Sequence, residues 1–188
     1  MNAHRSLVLL SLSALALAGL QAASAEAQAR VCRGSLTGVT IPGTLYVPAG
    51  ATCTIRRSQV RLDVVVRRGA TLVASRVRVG RDINALGARR IAISDSSTGD
   101  DVDALGGASA LVLRSMVAGD IELERMTGTI AVVRNMVGAD VELRRNRGRI
   151  DLRRNRIGED LVCTANRRPP ADAGNVVGGS REGQCRGS

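Results

Sequence analysis

Two polar columns mark where this chain could do chemistry. Aspartates recur at Asp63, Asp82, Asp101, Asp120, Asp140 and Asp160, spaced 19, 19, 19, 20 and 20 residues. Six residues before them stand Arg57, Arg76, Arg114, Arg134 and Arg154, with Asp95 interrupting the series. Carboxylates stacked one strand apart repel one another. They must splay into solvent, pair with arginine, bond the backbone as turn residues, or share a cation such as Ca2+. The turn role is the main reading and Ca2+ the alternative, because no Asp/Gly-dense ligand loop surrounds the column; no other metal or cofactor is expected. A regular row of guanidinium groups suits phosphate, sulfate or uronate groups along an anionic polymer. The competing reading is a soluble face balanced by Glu122, Glu124, Glu142 and the aspartates. Arg144, Arg145, Arg147, Arg149, Arg153, Arg154 and Arg156 add a dense run of seven in thirteen residues. Within that run, Arg145 and Arg147 join the candidate anion-binding set.

Composition removes most other chemistry. All 27 basic residues of the 188 are arginine, Phe and Trp are absent, and Tyr46 is the only aromatic residue. The one histidine, His4, sits in a leader: a positive start, an apolar run over residues 6–20, then small residues with A-x-A sites before Glu26 and Arg30. That layout is a secretory signal peptide, and the apolar run is shorter than the ~20 residues a membrane span needs. After cleavage the chain keeps 26 arginines against 16 or 17 acids and has neither histidine nor lysine. A Ser-His-Asp triad, a Cys-His pair, a His-ligated metal and a Schiff-base lysine are thereby excluded. The expected location is extracellular or periplasmic, with residues 1–29 as leader and 30–188 as one domain.

The elements that must position these columns follow from the same period. An aliphatic residue comes after each aspartate: Val64, Ile83, Val102, Ile121, Val141 and Leu161. Others fall two residues later (Val66, Ala85, Ala104, Leu123, Leu143, Cys163) and three residues before the aspartates (Val60, Val79, Thr98, Val117, Val137, Ile157). Two further columns read Leu72, Ile91, Leu111, Ile130, Ile150 and Ala74, Ile93, Leu113, Val132, Leu152. Each period holds two short alternating segments, such as Val141-Glu142-Leu143 and Ile150-Asp151-Leu152, and alternation is the signature of a strand. A unit of ~20 residues cannot bury its own apolar face, so it must stack on its neighbours. The expected fold is all-β: a single-stranded parallel β-helix, or β-solenoid, of about seven coils, with right-handed winding preferred. A pentapeptide solenoid would place Asn146, Asp151 and Arg156 inward from Val141, and all three are polar; a hexapeptide solenoid fails on the period.

Cys32 and Cys53 lie about one coil apart, as do Cys163 and Cys185, with five rungs between the pairs. A disulfide needs Cα atoms within ~7 Å, so the feasible bonds are Cys32–Cys53 and Cys163–Cys185, stapling the two ends of the stack. A redox role lacks the C-x-x-C spacing. Pro169 and Pro170 break the last period, so residues 164–174 are expected as a loop before the repeat resumes at Asn175.

The repeated V-G-x-[ND]-[VL] units, and the ending Gly158-Glu159-Asp160-Leu161-Val162-Cys163, Asn166, Asn175-Val176-Val177-Gly178-Gly179, Gln184-Cys185, resemble a group of uncharacterised secreted bacterial repeat proteins. The resemblance implies export and a β-solenoid, and it implies no activity. The group commonly has Asn where this chain has Asp. The functional reading is an exported structural or surface-associated rod without catalysis. The alternative is an arginine-ladder binder of anionic glycans, cell-envelope polymers or lipid headgroups. A polysaccharide-lyase role rests on fold analogy alone, and ice binding lacks a threonine ladder. Specific nucleic-acid binding is not expected without aromatics to stack bases. The residues do not distinguish a monomer from an end-to-end assembly.

Overall fold

Backbone pairing joins residues one period apart throughout the chain: Ile83 lies opposite Val102, Val102 opposite Ile121 and Ile121 opposite Val141, always in parallel. The computed structural model describes residues 29–187, and the export leader read in residues 1–29 lies outside them but for its last residue. Every regular element among the described residues is a strand, and the strands form three parallel sheets of nine, eight and eight. The chain is a parallel β-solenoid. Each turn visits the three sheets in order, as in Val102–Leu105, Ser109–Leu113 and Met116–Val117.

Three strands per turn, rather than the two alternating segments seen in the sequence, follow from the length of the third. Met116–Val117 and its equivalents have two residues, of which only the second points inward, too few to show alternation. Among the described residues the stack runs to eight full turns and a ninth strand of the first sheet, Arg181–Gly183. The count of about seven falls one short, and the aspartate position is held by Thr44 in the first turn and Ser180 in the last. With strands ~4.8 Å apart, eight turns span on the order of 38 Å.

The lumen is filled by the aliphatic columns, nearly all inaccessible to solvent. A fully buried Val, Leu or Ile contributes roughly 1.5–3 kcal/mol, and like residues stack on like, so a narrow core needs no aromatics. One register expectation is corrected. Ile91 pairs with Ala110 and Ile93 with Val112, so Ala110 and Val112 point inward while Leu111 and Leu113 face outward. The twentieth residue of the longer period enters one turn later, in the corner between Glu124 and Ile130. Asn146 is also buried, so its polarity was no argument against an inward position.

Both disulfides form as expected, with Cα separations of 5.5 Å for Cys32–Cys53 and 5.4 Å for Cys163–Cys185. Cys53 stacks in the column of Leu72, and Cys163 in that of Leu143. The expected loop over residues 164–174 is shorter. Thr164 ends one strand and Ala171–Ala173 forms another, which pairs with Asp151, Leu152 and Arg153. The prolines occupy only the corner between these strands.

A candidate anion-binding groove at one corner of the solenoid

The arginine column lies where the chain leaves the second sheet for the third. Arg57, Arg76, Arg114, Arg134 and Arg154 all have positive φ, between 46° and 58°, as does Asp95 at 52°. Gly38 and Gly174 occupy the same corner in the terminal turns, with φ of 65° and 66°. The residue after each turns inward and is often polar: Ser58, Ser96, Ser115, Asn135, Asn155 and Asn175 are all buried. These form a ladder. Asn155 Oδ1 accepts from the Asn135 backbone N–H at 2.9 Å, while Asn155 Nδ2 donates to Val132 O at 2.7 Å and Asn175 Oδ1 at 2.8 Å. Serines serve shorter turns: Ser96 Oγ accepts from Val77 N and donates to Ser94 O. A second ladder, Asn146 and Asn166, holds the corner between the first and second sheets. Among the described residues no buried side-chain nitrogen or oxygen lacks a partner.

Fixing the corner from inside sends the arginines outward, one per turn. Arg114 binds Asp95 through two hydrogen bonds, Nε to Oδ1 at 2.7 Å and Nη2 to Oδ2 at 2.9 Å. That bond, more than any other influence, holds the Asp95 carboxyl below its usual range. Arg134 and Arg154 form no ion pair among the described residues. With Leu113, Val133, Ala173 and Gly174 they line an open groove of about 570 Å³, joined by Arg114 and Arg153; Arg153 is paired with Asp151. On the far side of the column the third sheet exposes Met116 and Met136.

The remaining candidate arginines do not join this site. The dense run from Arg144 to Arg156 winds around all three sheets. Arg144 is tied to Glu142 at 2.5 Å on the first sheet, and Arg145 to Glu124 at 3.0 Å at the first-to-second corner. Arg147 lies on that same corner, beside Asn146, Ala165 and Arg167. A linear count of charge does not reveal this division, because neighbours in sequence point to different faces.

The aspartate column stands at the third corner, between the third sheet and the first. Each carboxylate accepts the backbone N–H of the equivalent residue one turn on: Asp120 N donates to Asp101 Oδ1, Asp140 N to Asp120 Oδ1 and Asp160 N to Asp140 Oδ1, each at 2.7 Å. The carboxylates thus bond the backbone, and they do so between turns rather than within one. Among the described residues, Asp82, Asp100 and Asp101 bring ligand atoms within 4.8 Å of one another and are the group able to face a divalent cation. Two of those three side chains are already engaged, since Asp82 Oδ1 and Asp101 Oδ1 accept backbone donors.

The buried Ser/Asn ladders are not among the columns expected from the repeat. A usable signal existed: Ser or Asn follows directly after Arg57, Arg114, Arg134 and Arg154. In comparison with known proteins, the chain matches no family model, no curated protein and no solved structure.

Proposed function

We propose that the chain is an exported, surface-associated rod of the cell envelope, without catalysis, in which stiff shape is the working property. The observation that carries this reading is closure of the stack at both ends, by Cys32–Cys53 at one and Cys163–Cys185 at the other. Two disulfides are compatible with an oxidising extracellular or periplasmic setting, and among the described residues no helix is long and apolar enough to cross a membrane. The resemblance to secreted bacterial repeat proteins points the same way. A lyase-like use of arginine beside a carboxylate-held cation is disfavoured for Arg134 and Arg154, since they and the aspartate ladder occupy different corners of the solenoid.

Fractionation of the producing cells tests export. The chain should be recovered outside the cytoplasm, begin at Glu26 or Arg30, and resist alkylation at all four cysteines. A cytoplasmic chain with its leader intact and free thiols overturns the reading. Shortening tests the structural role. Removal of residues 83–101 or 83–120 joins Asp82 to Val102 or Ile121 and preserves the register. Complementation of a deletion strain under osmotic or detergent stress should then fall in steps with rod length. Full rescue by both shortened chains counts against a role for length.

A further inference from the structure

An L-residue in the left-handed region costs about 1–2 kcal/mol that glycine avoids. At the first-to-second corner the chain meets this demand with glycine in four turns, at Gly50, Gly69, Gly87 and Gly106, and then places Arg125, Arg145 and Ala165 there with positive φ. At the second-to-third corner of the same stack it places arginine five times, against the backbone preference. A strained position retained in this way directs attention to what the side chain presents outward. Arg125 and Arg145, the two arginines with positive φ at the first-to-second corner, are both tied to Glu124, at 3.1 and 3.0 Å. Arg114 is tied to Asp95. Arg57, Arg76, Arg134 and Arg154 combine positive φ, exposure and no ion pair among the described residues, and of these four Arg134 and Arg154 line the groove.

These two stand on successive turns, roughly 4.8 Å apart along the axis, above a floor made by Leu113 and Val133. The groove gains its lining one turn at a time, so it runs along the rod. Its chemistry suits a linear polymer with anionic groups at short regular intervals and faces able to lie on aliphatic carbon. No aromatic ring lines it, which counts against stacked nucleobases. Leu113 and Val133 are half-buried beneath the exposed arginines, an arrangement that recesses the apolar surface from a flat bilayer.

We propose that this groove holds a linear acidic polysaccharide, with successive carboxylate or sulfate groups on Arg134 and Arg154 and a sugar-ring face on Leu113 and Val133. The proposal deepens the surface-rod reading, and rests on it only in that an exported chain meets such polymers.

Calorimetric titration of the purified, disulfide-intact chain with polygalacturonate and with heparin tests it. Binding should be measurable at low salt and weaken as salt rises. The double variant Arg134→Gly/Arg154→Gly should lose at least tenfold in affinity, with a Tm equal to or above that of the native chain because the backbone strain is relieved. Arg125→Gly/Arg145→Gly removes the same charge at the other corner and should change affinity less than twofold. Equal losses in the two double variants mean diffuse attraction and overturn the site. Absence of binding by the native chain at low salt also overturns it, while leaving export and the rod standing. Binding to phosphatidylglycerol vesicles that requires Arg134 and Arg154 and is not competed by either polysaccharide reassigns the groove to lipid headgroups and overturns the polysaccharide.

Discussion

Arg181 Nη1 donates to Asp172 Oδ2 at 2.9 Å, at the turn where two inward aliphatic columns end. Arg181 follows Leu161 in register, and Asp172 follows Leu152. The Asp172 side chain is 3% exposed and that of Arg181 24%; Arg181 Nη2 also donates to Asn175 O. A polar pair thus lies over the end of an aliphatic lumen. A further coil stacked there would have to bury the pair, so the arrangement opposes end-to-end growth. Asp172→Ala, which removes this carboxylate from beside a partly buried guanidinium, should lower unfolding free energy by about 1–3 kcal/mol in urea titrations. Asp172→Leu/Arg181→Leu should recover most of that stability and form concentration-dependent larger species in sedimentation velocity. An apolar double variant that sediments like the native chain at every concentration removes the anti-assembly role.

The aspartate ladder makes a separate claim, because what each rung uses is an acceptor oxygen rather than a charge. Asp140 Oδ1 accepts from Asp160 N, and Asp140 N donates to Asp120 Oδ1. Asp140→Asn keeps the acceptor and relieves repulsion between neighbouring carboxylates, so stability at pH 7 should change by less than about 0.5 kcal/mol. Asp140→Ala leaves the Asp160 N–H without its acceptor and should cost about 1–2 kcal/mol. Millimolar calcium should leave Tm unmoved in the native chain. A calcium-dependent rise that disappears in Asp82→Asn would show that the carboxylates act as a metal site instead.

How much of this was legible in the sequence follows the strength of the repeat at each column. The columns of Val64 and Val66 keep aliphatic identity over many turns, so the parallel stack and both disulfides could be read directly. The register of Leu111 and Leu113 could not, because leucine looks more inward than the Ala110 and Val112 that fill the lumen. Only pairing across the strands reveals that the extra residue enters after Glu124. The Ser/Asn ladder was hidden by its own chemistry. Ser115 and Asn135 do the same work, offering a side-chain oxygen to the backbone N–H one turn earlier, yet share no residue type, and Val77 interrupts the series. The C-terminal pair escaped because Asp172 falls within residues 164–174, expected as a loop, when it follows Leu152 in register as that column's last inward position.

Two glycines separate a conformational demand from a steric one. Gly69 has φ of 69°, and a Cβ there would meet nothing closer than 3.8 Å. Gly69→Ala should therefore show only the backbone penalty, about 1 kcal/mol. At Gly148 a Cβ would fall 1.7 Å from Gly128 O and 2.3 Å from its carbonyl carbon, so the turns could not keep their spacing. Gly148→Ala should cost more than about 3 kcal/mol or prevent folding, and thermal melts of the two variants decide the order. A mild Gly148→Ala would mean that the corner has more room than this packing implies.

Asp103 links the acidic face of the first sheet to pH. It points outward between Asn84 and Glu122 on the adjoining strands. Burial pushes its carboxyl up to about 6, and the Glu122 carboxylate adds to this, followed by Asp101, Asp82 and Asp120. Burial likewise raises Glu142 farther along the column. A carboxyl whose pKa is higher folded than unfolded retains its proton better in the native state. Between its ordinary value of 3.8 and about 6 the folded chain binds more protons than the unfolded one. This group's contribution is therefore fully present below pH 3.8 and lost as pH rises through about 6. Solvent screening of the half-exposed site limits the effect to on the order of 1 kcal/mol. Asp103→Asn should accordingly be more stable than the native chain by about that amount at pH 7, and nearly equal to it at pH 4. Urea unfolding at the two pH values measures the difference. An advantage of the variant that is the same at both would show that Asp103 stays ionised across the range and that packing, not protonation, sets its effect.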